Sequence, residues 1–167
     1  MNTTTSLRSG LRWIPATMVT AFLLFGCSPK EEQKNALGDF RLATLEGESI
    51  DLGKYQGKRV FINVWATWCK PCVQEMPTIA AAMKEVEGSG VVFLFASSEE
   101  AEEIIGFRDR RGFPFDYVRL LNLEALSIQA LPATFIFDKD GNLVYGEEGF
   151  RDWSDPENMK YIRPTAE

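Results

Sequence analysis

Apolar and polar positions fall in blocks along this chain, and the blocks predict a layered α/β domain. Three nearly continuous apolar runs stand out: Val60-Phe61-Ile62-Asn63-Val64-Trp65, Val91-Val92-Phe93-Leu94-Phe95-Ala96 and Thr134-Phe135-Ile136-Phe137. Runs this rich in β-branched and aromatic residues read as central strands covered on both faces. After the first run, Val73, Met76, Ile79, Ala80, Met83 and Val86 recur at three- and four-residue spacing, which predicts a helix with one apolar face. Pro77 lies inside it and is expected to interrupt and kink it.

A second helix is expected from near Ser97. Ser97 and Glu100 fit a capping box, and the acids from Glu99 to Glu103 read as a solvated first turn. Ile104, Ile105 and Phe107 form its apolar side, and Gly112 and Pro114 end it. A short third helix is expected over Leu123 to Ile128. The stretch Phe137-Asp138-Lys139-Asp140-Gly141-Asn142-Leu143 reads as strand, tight turn and strand. Phe40 to Leu45, Glu46-Gly47 and Glu48 to Leu52 suggest an N-terminal β-hairpin extension. Strands alternating with helices indicate a central sheet flanked by helices.

The first 26 residues have a different pattern. They hold no acid and two bases, Arg8 and Arg12, ahead of an apolar run from Trp13 to Phe25 broken only by Pro15, Thr17 and Thr20. That run is shorter than the ~20 apolar residues a spanning helix needs, and a basic start, short apolar stretch and small final residue describe an export signal. Its end, Leu24-Phe25-Gly26-Cys27, resembles the bacterial lipobox, with Phe25 bulkier than usual. The resemblance implies a lipoprotein signal peptide over 1–26 and lipidation of Cys27, whose several acyl chains give stable anchoring. Residues 27–36 follow as a polar tether, and 37–167 as the folded domain. Ser28, where an Asp would favour inner-membrane retention in Gram-negative bacteria, points to the outer membrane. The Lys30-Glu31-Glu32 run is also similar to surface-export tags.

Composition narrows the function. Of 167 residues, 45% are hydrophobic and 25% charged, so a packed core is expected. The formal charge of -6 and the lack of a basic run exclude a nucleic-acid binder. With Cys27 assigned to lipid, two cysteines remain, in Cys69-Lys70-Pro71-Cys72. A loop this short removes little unfolded-state entropy, so the pair's value is chemical rather than structural. Following a strand and opening a helix, both sulfurs sit where free N–H groups and the helix dipole favour a thiolate, the species that attacks disulfides. Cys69, the more exposed of the two by this geometry, is assigned as nucleophile, and Cys72 resolves the mixed disulfide. Pro71 stiffens the loop and Lys70 adds positive charge. Half of a zinc site would need two more ligands, and the chain has no His and no other free Cys, so no metal or other cofactor is expected.

The segment Val64-Trp65-Ala66-Thr67-Trp68-Cys69-Lys70-Pro71-Cys72 resembles the active-site segment of the thioredoxin superfamily, and Val73-Gln74-Glu75-Met76-Pro77 narrows the likeness to the TlpA/ResA-type group of membrane-anchored thiol–disulfide oxidoreductases. The similarity runs from about Leu37 to Gly149 and includes Leu131-Pro132-Ala133-Thr134-Phe135-Ile136-Phe137-Asp138. It implies a thioredoxin-like fold. It also implies that Pro132 is the family's cis-proline and that Leu131 and Pro132 form the substrate-side lip, with Trp68, Lys70 and Pro71 on the other side. Glu75 matches a carboxylate that can move a proton on or off Cys72. Thioredoxin uses an Asp on the preceding strand, where this chain has the non-titrating Asn63.

The resemblance thus implies a protein-disulfide reductase of the cell envelope, with disulfide-containing envelope proteins as clients, cytochrome c maturation among its settings, and a membrane thiol electron donor. The absence of a His between the cysteines leans toward reduction. Alternatives are an oxidase or isomerase of the same fold, and a non-catalytic lipoprotein binding copper or a partner. A peroxiredoxin-like peroxidase would need Pro and Thr where Ile62 and Ala66 stand.

Overall fold

A computed structural model of the chain describes residues 36–164. The expected export signal, Cys27 and nearly all of the expected tether lie outside the described residues. Six strands form one mixed sheet: β1 (Leu42–Ala43), β2 (Val60–Val64), β3 (Val92–Ser97), β4 (Tyr117–Leu120), β5 (Ala133–Phe137) and β6 (Leu143–Glu148). Three helices accompany them: α1 (Lys70–Glu85), α2 (Ala101–Arg111) and α3 (Pro156–Ile162). The strand order is β1-β4-β3-β2-β5-β6.

Strands β2, β3 and β4 run parallel, whereas β5 is antiparallel to β2, β6 to β5 and β1 to β4. The steps β2 to β3 and β3 to β4 move the same way across the sheet. Right-handed crossovers therefore put α1 and α2 on one face. Alternation along the strands sorts the core accordingly. Phe61, Phe93, Phe95 and Ile136 join the buried residues of all three helices, while Val60, Ile62, Val64, Leu94 and Phe137 join Leu37, Phe40 and Leu42 in a second cluster. The second cluster is covered by the N-terminal segment and short 3-10 turns rather than by α-helices. Every residue of β2 is buried, as a strand covered on both faces must be.

Several expectations are corrected. No capping box starts α2: Ser97 ends β3, the N-cap is Glu100, and Glu100 makes no side-chain cap bond. Glu99 is not part of a solvated turn, because its carboxylate is taken up by the redox loop described below. Helix α1 continues for 16 residues through Pro77, whose ring lies at the exposed side. The third helix is a 3-10 turn, Leu123–Leu126. The N-terminal hairpin is narrow: Thr44 N donates to Glu48 O at 2.8 Å and Ile50 N to Leu42 O at 2.9 Å, while β1 itself pairs with β4. Strand β4 and helix α3 were not anticipated. Tyr117, Val118 and Leu120 carry a short apolar signal for the first, and Asp155-Pro156 is an N-cap with proline in the first turn for the second.

Candidate active site

The redox pair sits where the central strand β2 hands over to α1. Trp65 N still donates to Ala96 O of β3 at 3.0 Å, and Cys69 N closes a turn onto Ala66 O at 3.1 Å. Cys69 is the N-cap of α1: its backbone is extended, and its Sγ accepts from Cys72 N at 3.2 Å. A side chain at this position normally satisfies one of the free donors of the first turn, and here a sulfur takes that role. Pro71 stands in the first turn, where its missing N–H leaves no helical bond unmade. Cys69 and Cys72 are joined by a disulfide, with Cα atoms 5.3 Å apart.

Both cysteines are buried, Cys69 at 4% and Cys72 at 1% exposure. Cys69 is the more exposed of the two, as its place at the helix start implies, though neither is open to solvent. The fold covers Cys69 by its own loop and leaves it at the floor of a groove of about 520 Å³. Trp68, 74% exposed, and the exposed Lys70 and Pro71 stand on one side of the groove, with Leu131 and Ile128 on the other. The Leu131–Pro132 peptide bond is cis. Pro132 is buried just behind Leu131, at the entry to β5. The structure thus gathers Trp68, Cys69, Lys70, Pro71 and Leu131 around one groove, while Cys72 and Glu75 lie beneath its floor on α1. Trp65, by contrast, is a core residue packed on Phe107 and Tyr117.

Glu75 follows Cys72 by one helical turn and is fully buried. Asn63 Nδ2 donates to its Oε2 at 3.1 Å. Trp153 Nε1 and Arg151 N donate to its Oε1 at 2.8 and 3.0 Å. Asn63 Nδ2 also donates to Thr134 Oγ1 at 3.0 Å, which ties the carboxylate site to β5. Burial pushes the Glu75 carboxyl up to about 7, against the opposing pull of Trp153, the Arg151 amide, Asn63 and the Arg151 charge. A buried carboxyl poised near neutrality can take up or release a proton at little cost.

A second carboxylate holds the loop above. Glu99 accepts from Thr67 N and Thr67 Oγ1, each at 2.7 Å, and from Ser97 Oγ at 2.9 Å. Glu99, Arg151, Trp153 and Thr134 are functional neighbours that no motif in the sequence marks. Only Trp153, an aromatic in the polar run Arg151-Asp152-Trp153-Ser154-Asp155, carried a local hint. Among the described residues, no group of three or more His, Cys, Asp and Glu side chains is placed to hold a metal ion. Ile62 and Ala66, at the places a peroxidase would fill with Pro and Thr, are buried apolar residues.

Sheet order, redox pair and cis-proline loop together define the class, a thiol–disulfide oxidoreductase of thioredoxin-like fold. More specifically, the chain belongs to the AhpC/TSA family, whose model matches residues 34–146. It is similar to the thiol-disulfide oxidoreductase ResA of Halalkalibacterium halodurans, 36% identical over 133 residues that cover 77% of this chain and 76% of that protein. A ResA from Geobacillus thermodenitrificans is 38% identical over 111 residues, 63% of each chain. Among solved structures, the thiol:disulfide interchange protein of Chlorobium tepidum shares the fold at 22% identity and a TM-score of 0.62, covering 74% of this chain and 92% of that one.

Proposed function

We propose that the chain is a protein-disulfide reductase in which Cys69 is the nucleophile, Cys72 the resolving thiol and Glu75 the group that handles the proton of Cys72. In the dithiol state the Cys69 thiolate attacks a client disulfide, forming a mixed disulfide and releasing one client thiolate, which takes up a proton. Cys72 gives its proton to Glu75 and attacks Cys69 Sγ. The Cys69–Cys72 disulfide forms, the second client thiolate leaves, and it is protonated in turn. Two electrons pass to the client, and a thiol donor at the membrane restores the dithiol.

One observation carries this reading: a cysteine sulfur caps the helix that also holds a buried, near-neutral carboxyl one turn beyond the second cysteine. The cap bond and helix dipole favour the Cys69 thiolate, and Glu75 supplies a base for a thiol that solvent cannot reach. Trp68, Lys70, Pro71, Leu131 and Pro132 form the client-binding rim, with the apolar groove favouring unfolded or extended client segments.

The proposal extends to location. Residues 1–26 act as a lipoprotein signal peptide, and Cys27 carries the lipid. The domain then works in the cell envelope on exported proteins, with the outer membrane favoured in a Gram-negative cell and cytochrome c maturation as a candidate setting. The test is reduction of insulin disulfides with a chemical thiol as donor. Cys69→Ser is expected to abolish turnover, and Cys72→Ser to accumulate mixed disulfides. Wild-type turnover by Cys69→Ser would overturn the assignment.

A further inference from the structure

Glu75 is gripped by a segment far from it in the chain. Trp153 and Arg151 lie between β6 and α3, 78 and 76 positions from Glu75, yet both donate to the same carboxylate oxygen. The segment is stitched to α1 a second time. Trp153 N donates to Thr78 Oγ1 at 3.0 Å, and that hydroxyl donates to Glu75 O at 2.8 Å. The indole itself cannot turn away. It is fully buried and packs edge-on against Phe61 at 5.0 Å and Tyr145 at 5.4 Å between ring centres. Its Nε1–H is therefore held at Glu75 by aromatic packing on two strands.

We infer that Trp153 is a positioning residue of the redox site: its packed indole, with the Arg151 amide, fixes the Glu75 carboxylate in the orientation from which it serves Cys72. An indole N–H and a backbone N–H can only donate, so together they favour the ionised carboxylate over the acid. Burial alone would hold Glu75 protonated, and a protonated Glu75 cannot take the Cys72 proton. The other groups facing Glu75 do not replace this contact. Strands β2 and β5 present the uncharged Asn63 and Thr134, β6 presents the phenol of Tyr145 beside Glu147, and α1 itself carries Cys72 one turn before Glu75. Arg151 supplies a positive charge, but its guanidinium is bonded to Asn158 and Glu147 rather than to Glu75. The inference deepens the proposed role of Glu75 and rests on it for its functional meaning, while the contact can be tested without it.

The experiment is a carbon-13 NMR titration of the Glu75 carboxyl in the full domain, oxidised and reduced. The variants are Trp153→Phe and a protein carrying benzothienylalanine at position 153, which keeps the indole shape but replaces N–H by sulfur. Loss of one charge-assisted donor is expected to raise the Glu75 midpoint by about one pH unit in both. The alkaline limb of the disulfide-exchange profile should move with it. An unchanged or lowered midpoint in the benzothienylalanine protein, whose packing is preserved, would overturn the inference. Glu75→Gln separates the two claims. If exchange by Glu75→Gln keeps the wild-type rate and pH profile, the proton-handling role falls, while the midpoint still decides the role of Trp153.

Discussion

Glu99 holds Thr67 by two bonds at once, accepting from its backbone amide and from its hydroxyl, each at 2.7 Å. Thr67 lies two residues before Cys69, so this carboxylate ties the start of α2 to the loop that presents the nucleophile. The contact joins residues 32 positions apart and cannot be replaced locally.

Glu99→Ala should therefore loosen the loop as well as destabilise the fold. Hydrogen bonds to a charged acceptor contribute about 1.5–3 kcal/mol. A loss of about 2 kcal/mol in denaturant unfolding is expected, with a slower exchange rate. Glu99→Gln, which keeps one acceptor oxygen, should recover part of both. Unchanged stability in Glu99→Ala would show that the clamp contributes nothing.

The Glu75 carboxyl makes stability depend on pH in a defined direction. Its folded value is raised from 4.5 to about 7, so the folded state binds the proton more tightly than the unfolded chain does. The favourable contribution is complete below pH about 4.5 and is lost as pH rises through about 7. At 1.36 kcal/mol per pKa unit the change is on the order of 3 kcal/mol. Oxidised wild-type protein should lose stability between pH 5 and pH 8 relative to Glu75→Gln, as chemical denaturation at the two pH values would measure. Parallel curves for the two proteins would contradict this.

Asn63→Asp would set a second carboxyl against Glu75, where the amide nitrogen now donates at 3.1 Å. At pH 5 the pair can share one proton and the cost should be small. At pH 8 both would have to ionise in a buried site, and a loss of about 2–4 kcal/mol is expected. A cost independent of pH would mean that the two side chains do not interact as the structure places them.

Trp68 offers a way to separate binding from folding. Its side chain is 74% exposed at the groove rim. Trp68→Ala should leave the melting temperature within error and raise KM for a protein disulfide by about fivefold, the equivalent of roughly 1 kcal/mol of lost aromatic contact. An equal KM with a lower melting temperature would assign Trp68 to the fold instead.

Residue order alone made much of this molecule readable. Val60 to Val64 and Val92 to Ser97 are buried on both sides, and the near-absence of polar residues says so without a structure. The spacing of Val73, Met76 and Ile79 shows the buried face of α1, and Cys69-Lys70-Pro71-Cys72 at a strand-to-helix junction declares its chemistry through local geometry. These signals are local: a period, a helix start, a pair of sulfurs three positions apart. Folding in three dimensions decided the rest. Glu99 reads as one acid among several until the β3–α2 turn brings it to Thr67, and Trp153 has no visible relation to Glu75 until the chain returns from β6 across α1. Even the groove over Cys69 exists only because the loop of Leu131 comes to line it opposite Trp68. Hydrophobic periodicity and helix-end chemistry act over a few residues and leave a trace in the order of amino acids. Hydrogen bonds that hold a buried carboxylate join residues dozens of positions apart, and no local pattern records them.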